Sequence, residues 1–484
     1  MISSGRRLQR FRSKAGQRFF TFLIALLPVV TWAQFTYVTN NGAITITGYT
    51  GPGPIVSIPA GIDGLPVTAI GLKAFYEDTR PASVVIPPTV TNIGQLAFAV
   101  CVNLTNLTIP NSVTTIEAEA FKACYNLPRL SLPPGLTVLA KDLFHSCNNL
   151  TQVAIPSSLT RIEAAAFYLC GKLTHADIPP GVTNIAMDAF TGCGSLTSIA
   201  IPAGVTRIED NLFHTCGSLT NVTLPPTITA IGQAAFFRCD QLPHLTIPPG
   251  VTNIGSAAFS YCGALTNLTI PDGVISIGGN AFQGCSNLVS IALPESVTDL
   301  QTQGLFDSCS ALLNVSLPST VAEIGSYAFS FCNSLTNVTM PRSVLRIHRW
   351  AMLSCPNLAG VFFQGNAPIL DHDFPWTIFD YSTNVTVYYL PGTSGWSDSY
   401  SDRPTALWNP VFQTDNPNFG VQPSGFHLPV TGTPNIPVVL EATTNLTGST
   451  RTALLFATLT NGSIHFSDSQ WTNYPFRSYR IRSP

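Results

Sequence analysis

The stretch from Asn103 to Cys124 reads NLTNLTIPNSVTTIEAEAFKAC, and variants of it recur along most of the chain. Twelve cysteines mark the recurrence, and successive cysteines lie 23 residues apart except for one interval of 24 between Cys285 and Cys309. A phenylalanine stands three residues before every cysteine but the last, where Met352 takes its place. A fixed period in the twenties, carried by apolar positions, predicts a solenoid of stacked coils. The cysteines are Cys101, Cys124, Cys147, Cys170, Cys193, Cys216, Cys239, Cys262, Cys285, Cys309, Cys332 and Cys355.

The repeating unit is L-x-x-L-x-I-P-x-x-V-T-x-I-G-x-x-A-F-x-x-C-x-x. Residues 104–109 predict a short strand that Pro110 ends, because proline has no N–H to donate to a ladder. Residues 113–116 form a second short apolar stretch, and the spacing within 120–124 predicts a single turn of 3₁₀ or α-helix. One coil cannot bury its own apolar face, so stability must come from stacking on its neighbours.

The blocks L-x-x-L-x-I-P, V-T-x-I-G and A-F-x-x-C closely resemble the bacterial leucine-rich repeats of the BspA type, the treponemal-antigen-like subclass. The resemblance covers roughly residues 83–358 and, more weakly, 58–75. It implies a leucine-rich-repeat solenoid, here of about 12–13 coils with short parallel strands plus a helical turn in each coil. It also implies a secreted or surface protein, of a kind often linked to adhesion or host-protein binding. The extra residue between Leu300 and Phe306 is expected to bulge a turn and leave the sheet in register.

The first 33 residues are typical of a secretory signal peptide. Six basic residues precede the apolar run FFTFLIALLPVV, and Thr31 and Ala33 occupy the −3 and −1 positions of a cleavage site. Cleavage there predicts a bacterial protein that is secreted or at the cell surface, with no transmembrane anchor afterwards; a retained membrane anchor is the alternative. It also leaves 17 basic against 25 acidic residues, a net charge of −8. A mildly acidic chain without a basic cluster argues against binding to nucleic acid.

The outward-facing strand positions supply the candidate ligand contacts. Binding hot spots favour Trp, Tyr and Arg, but these columns hold mainly Asn, Ser, Thr and Ala, which is typical of a solvated sheet face. If a polar polymer or a protein binds there, the expected contacts are Arg129, Gln152, His175, Asp177 and His244.

No pattern in the sequence predicts catalysis or a cofactor. There is no Gly-x-Ser-x-Gly elbow, no phosphate-binding loop and no cysteine distinguished from the other eleven. His175 and His244 are three coils apart, too far to share an ion. Asp371, His372 and Asp373 form the one compact cluster of ligand-type residues, and we interpret it as a solvated loop and not as a metal site.

The cysteines are predicted to be buried free thiols that act as small apolar residues. Stacking places neighbouring Cα atoms about 4.8 Å apart, within disulfide range, and an exported protein permits pairing. Parallel Cβ vectors and two equivalent neighbours for each cysteine nevertheless favour unpaired thiols.

Beyond residue 361 the period is no longer visible, and short alternating segments predict a small all-β sandwich-like domain. The expected organisation is a signal peptide (1–33), an N-terminal capping coil region (34–82), the solenoid (83–363), a closing segment and linker (364–410) and the C-terminal β module (411–484).

Together these features predict an exported, non-enzymatic protein that mediates protein or glycan interaction or adhesion at the cell surface or outside the cell. Its partner is expected to be a protein or polysaccharide surface ligand. A structural component of the envelope or extracellular matrix is one alternative, and an enzyme with an unrecognised site in 364–484 is another.

Overall fold

The computed structural model describes residues 34–301, 303–370, 377–444 and 451–484. Its main body is a β-solenoid of about 15 turns, more than the 12–13 coils expected. Each regular coil contributes to two rows of parallel strands, which we name the face ladder and the side ladder. The signal-peptide prediction and the Asp371–Asp373 cluster lie outside the described residues.

The face ladder contains the strands that precede the Ile-Pro positions. These are Ile55–Ser57, Ser83–Val85, Asn106–Thr108, Arg129–Ser131, Gln152–Ala154, Ser198–Ala200, Asn221–Thr223, Ser290–Ala292, Asn314–Ser316, Asn337–Met340, Gly360–Phe363, Thr386–Tyr389 and Arg403–Leu407. Three further coils contribute single bridge residues, His175, His244 and Asn267.

The side ladder contains the strands that follow the proline turns. These are Ala43–Tyr49, Leu65–Ile70, Asn92–Ile93, Thr115–Ile116, Val138–Leu139, Arg161–Ile162, Asn184–Ile185, Arg207–Ile208, Ala230–Ile231, Asn253–Ile254, Ser276–Ile277, Asp299–Leu300, Glu323–Ile324, Arg346–Ile347 and Ile369–Leu370. The short strand Gly61–Ile62 pairs antiparallel with Leu65–Ile70.

The extra residue near Gln301 leaves the face ladder in register, as predicted. Ser290 pairs with Asn314 in the face ladder, a step of one residue more than the regular spacing, and Ser276 still pairs with Asp299 in the side ladder. The extra residue therefore lies in the segment that connects the side-ladder strand to the next face-ladder strand.

The prediction of a helical turn in each coil is wrong, because the backbone of this segment is not helical. Leu96 and Val100 have positive φ angles of 57° and 61°, and a left-handed residue cannot continue a right-handed helix. Leu96, Phe98 and Val100 instead donate their backbone N–H groups to carbonyls of the next coil at 3.2, 2.9 and 2.7 Å. The segment is a chain of tight turns whose hydrogen bonds join neighbouring coils.

A column of stacked phenylalanines fills the centre of the solenoid. Twelve fully buried rings run from Phe75 to Phe329, and neighbouring centroids lie 4.9 to 6.0 Å apart. Offset stacking at this spacing adds to the stabilisation that burial alone provides.

The cysteines line this column as buried free thiols. Each Sγ donates to the carbonyl of the phenylalanine in the preceding coil, as Cys124 does to Phe98 at 3.2 Å and Cys216 to Phe190 at 3.2 Å. The thiol therefore satisfies a buried carbonyl between coils, a role beyond the apolar packing that we predicted.

The N-terminal end of the solenoid is closed by a hairpin and an ion pair. Phe35–Asn40 pairs antiparallel with Ala43–Tyr49, and the tilted rings of Tyr49 and Phe75 pack with their centroids 5.6 Å apart. Asp78 occupies the cysteine position of the first coil and pairs with Arg80 at 2.7 Å. Arg80 also donates to two carbonyls of the hairpin segment.

The solenoid continues past residue 363. Thr386–Tyr389 pairs parallel with Gly360–Phe363, and Arg403–Leu407 pairs with Thr386–Tyr389 and with the short strand Ser399–Tyr400. Phe379 and Ser382 stand where other coils have phenylalanine and cysteine, and both are fully buried. Residues 403–407, expected to be part of a linker, are therefore a strand of the face ladder.

Two antiparallel sheets follow the solenoid. In the first, Gly425–Thr431 pairs with Val411–Phe412, Gly420–Gln422 and Ser463–Asp468. In the second, Pro437–Thr443 lies between Thr452–Thr458 and Ser478–Arg482, and a 3₁₀ helix spans Trp471–Asn473. We refer to residues 411–484 as the C-terminal module.

Candidate functional site

The solvent side of the face ladder, which we name the strand face, carries the five predicted contact residues. Arg129 pairs in register with Gln152, and Gln152 forms a bridge with His175, so these three side chains occupy adjacent rungs. Asp177 is exposed two residues after His175, whereas His244 is exposed on the same face three coils further along. The structure therefore brings four of the five residues together and leaves His244 apart.

The strand face is shallow between its rungs. Beside His175 and Asp177 lies a hollow of about 290 Å³ that Ser198, Asn221 and Thr223 also line. Ser198, Asn221 and Thr223 contribute hydroxyl and amide groups to its walls, and parallel strands repeat about every 4.8 Å. Such a surface offers repeated hydrogen bonds and no enclosed pocket.

The C-terminal module packs against the last coils of the strand face. In the outward column where earlier coils have small residues, Phe362 and Tyr388 are buried and their rings stack at 4.6 Å. They form one apolar cluster with Val430, Ile436, Val438 and Leu459 of the module. Trp408 donates from Nε1 to the carbonyl of Pro437 at 2.8 Å, which fixes the junction.

This docking creates a cleft of about 660 Å³ between the strand face and the end of the chain. One wall is the polar ladder around Asn314 and Asn337, and the other is the segment Arg480–Pro484. The hydroxyls of Thr339 and Ser483 share a hydrogen bond of 3.2 Å across the floor. The groups that line the cleft come from both the solenoid and the C-terminal module.

A buried carboxylate positions the two arginines of the cleft. Arg480 and Arg482 donate from Nε to the two oxygens of Glu441 at 2.8 and 2.5 Å. Burial raises the pKa of Glu441, but the hydrogen bonds from Arg482 and Arg480 outweigh it and hold the pKa below its ordinary value. Glu441 therefore stays ionised, and the three groups together carry one net positive charge at neutral pH.

Arg480 and Arg482 were not predicted as site residues, and the docking role of Phe362 was not predicted either. A signal for the docking was present, because Phe362 and Tyr388 continue the small-residue column in which Thr339 stands. An aromatic residue in a column of small polar ones indicates a covered position. No comparable pattern marks Arg480 and Arg482, because they lie outside the repeats. The path that brings residues 480–484 back to the solenoid therefore leaves no periodic signal in the sequence.

A second exposed surface, which we name the turn edge, runs along the segments between phenylalanine and cysteine. His145 stacks on Tyr168 with ring centroids 4.7 Å apart, and His214 stacks on Phe237 at 4.6 Å. Burial lowers the pKa of both histidines, so they are neutral at physiological pH. Tyr261 is 38% exposed and lies under the Arg238 guanidinium at 5.3 Å. The turn edge is thus richer in aromatic side chains than the strand face.

The described parts of the chain contain no group of three or more His, Cys, Asp or Glu side chains that converge on a metal position. The same residues include no helix with the length and hydropathy required to cross a bilayer.

The chain was compared with known families and structures. The model of the BspA type leucine-rich repeat region matches residues 68–195, 160–271, 183–303 and 252–386. A comparison with curated proteins gives no match.

Solved structures of bacterial leucine-rich repeat proteins are similar to this chain. A protein from Bacteroides ovatus is 26% identical with a TM-score of 0.66, over 78% of this chain and 98% of that one. A leucine rich cell surface protein from Faecalibacterium prausnitzii is 28% identical with a TM-score of 0.42, over 74% and 94% of the two chains. The leucine rich repeat protein of T. pallidum is 28% identical with a TM-score of 0.33, over 49% and 90%. Because the family model spans most of the solenoid, the chain belongs to the BspA type leucine-rich repeat family.

Proposed function

We propose that the protein is an exported interaction protein that binds a protein or polysaccharide at the cell surface or outside the cell and catalyses no reaction. The observation that carries this proposal is the strand face, where exposed polar side chains recur on successive coils between Asn106 and Asn337. Proteins of this family are cell-surface or secreted, and the fold is typically non-catalytic. These properties support a binding role.

In this proposal the solenoid provides the binding surface, and the C-terminal module, a small β-sandwich, closes one end of it. Arg129, Gln152, His175 and Asp177 are the proposed contacts in the N-terminal half of the strand face, with His244 a more distant contact. Long polymers fit such a surface, because weak contacts on successive rungs add up when the ligand spans several coils.

The proposal is tested by probing the protein lacking residues 1–33 against an array of glycans and matrix proteins. Replacing Arg129 by alanine is expected to weaken retention of the bound partner. Arg161→Ala is the matched control, since Arg161 is an exposed arginine of the side ladder that pairs with Glu163. If both variants bind as the unmodified protein does, the strand-face contacts are refuted.

A structural role in the envelope or matrix predicts a different outcome. The array then gives no signal, and the purified protein assembles into ordered polymers that sedimentation detects. Fractionation of the envelope and the medium of the producing cells tests the proposed export directly, and retention in the cytoplasm would contradict it.

A further inference from the structure

We propose that the cleft between the strand face and the end of the chain binds an acidic oligosaccharide that carries uronic-acid carboxylates. This inference rests on the proposed binding function and assigns it a ligand class and a location. The carboxylate would be held by Arg480 and Arg482, and the sugar hydroxyls by the amides and hydroxyls of the opposite wall.

The solenoid wall of the cleft is a regular polar array. Ser290, Asn314 and Asn337 stand at equivalent positions of three successive coils, and Ser316 and Thr339 lie beside them in the second outward column. Parallel strands place such rungs about 4.8 Å apart. A linear ligand that lies along the column therefore meets an amide or hydroxyl group at each coil.

The opposite wall supplies the charge. Glu441 engages the Nε atom of each arginine, and the Nη1 of Arg482 donates to the carbonyl of Ser483. Among described residues, no hydrogen bond uses the Nη groups of Arg480. A guanidinium held on one side by a carboxylate is pre-organised to bind a second carboxylate with its remaining donors.

The cleft also contains one acidic side chain. Glu295 accepts hydrogen bonds from the backbone N–H and the hydroxyl of Ser319 at 2.8 and 2.6 Å, and these contacts lower its pKa. It belongs to the coil of Ser290, at the end of the array away from Gln364 and the module. An acidic ligand is therefore oriented with its carboxylate toward the arginines.

The lining favours a saccharide over a peptide. A peptide that binds by strand addition needs an open strand edge, whereas this wall presents the side chains of strands that lie against their neighbours in adjacent coils. The neighbouring hollow of about 190 Å³ shares Thr339 and Arg482 with the cleft and is lined by Tyr389 and Leu390. It offers an apolar surface on which the C–H side of a sugar ring can pack.

The test measures calorimetric binding of oligogalacturonate to the protein lacking residues 1–33. Neutral oligogalactoside and an oligoglutamate peptide of equal charge are the comparison ligands. Asn337→Asp places a negative charge in the cleft and is expected to weaken oligogalacturonate binding about tenfold. Asn106→Asp, a change at the equivalent position of a distant coil, is expected to leave it unchanged. Arg480→Gln removes one cation while Arg482 still pairs with Glu441, and it is also expected to weaken binding.

Preferential binding of oligogalacturonate with loss in Asn337→Asp and Arg480→Gln supports the proposal. No oligogalacturonate binding, equal binding of the peptide, or equal loss in Asn106→Asp overturns it. If a partner found on the glycan and protein array binds Asn337→Asp and Arg480→Gln as tightly as the unmodified protein, the cleft is not the binding site. The proposed binding function would still stand. Thermal melts of all variants show that any loss of binding does not come from unfolding.

Discussion

Replacing Phe236 by alanine tests whether the phenylalanine column holds the coils together. Phe236 is fully buried, and its ring centroid lies 5.5 Å from those of both Phe213 and Phe259. The chain offers a matched control in the next residue, because Phe237 is half-buried on the turn edge and stacks on His214.

The two substitutions remove the same atoms from different surroundings. Truncating a buried phenylalanine costs about 3–5 kcal/mol, because the lost apolar contacts and the remaining cavity both destabilise the fold. Its two stacked neighbours place Phe236→Ala toward the upper end of this range. Phe237→Ala leaves no enclosed cavity, and we expect it to cost about 1 kcal/mol.

Equilibrium urea denaturation followed by far-UV circular dichroism measures both values. In an array stabilised by contacts between neighbours, a weakened central interface also separates the two halves. Phe236→Ala is therefore expected to broaden or split the transition, whereas Phe237→Ala shifts it slightly. Equal effects of the two variants would refute the reasoning, since they would mean that the column contributes no more than the turn edge.

Three further predictions concern the thiols, the docked module and the N-terminal cap. Burial raises the pKa of Cys216 to about 12, so the thiol favours the folded state below about pH 9 and this stabilisation declines as the pH rises toward 12. As the pH rises through that window, each such thiol should lower the free energy of unfolding by about 1.4 kcal/mol per pH unit. A urea midpoint that stays the same from pH 8 to 10.5 would contradict this prediction. Phe362→Ala should weaken the docking of the C-terminal module on the solenoid by about 3–5 kcal/mol. Limited proteolysis should then cleave faster between residues 408 and 424 while the solenoid stays intact, and an unchanged cleavage rate would count against the docking. Arg80→Ala should destabilise the first coil by up to about 3 kcal/mol, because it leaves the Asp78 carboxylate buried without its partner. The control Arg161→Ala removes an exposed ion pair and should change stability by less than about 1 kcal/mol. Equal melting temperatures of the two variants would refute this difference.

The solenoid could be predicted from the sequence because its stabilising contacts repeat. Phenylalanine, cysteine and proline recur at fixed positions, and each has one physical role in every coil, so the pattern identifies core and turn together. The face ladder also stays in register across the one irregular interval, between Cys285 and Cys309, as predicted. Strand pairing costs more to disrupt than a turn does.

The helical turn was predicted incorrectly because apolar spacing does not report backbone conformation. Residues such as Leu96 adopt positive φ without being glycine, and hydrogen bonds to the next coil offset that strain. The additional coils were missed because Ser382 replaces cysteine and Tyr388 replaces a small polar residue. The cleft arises from a long-range contact between the strand face and residues 480–484, which no local pattern encodes.

Oxidative side-chain footprinting of the protein with its bound partner tests the central claim, that binding takes place on the strand face. His175 and His244 report on the strand face, Arg482 on the cleft, and Tyr168 and Tyr261 on the turn edge. We predict that the partner protects one or more of the first three from oxidation and leaves both tyrosines as reactive as in the free protein. Protection of Tyr168 and Tyr261, with the strand face and the cleft unchanged, would contradict the claim.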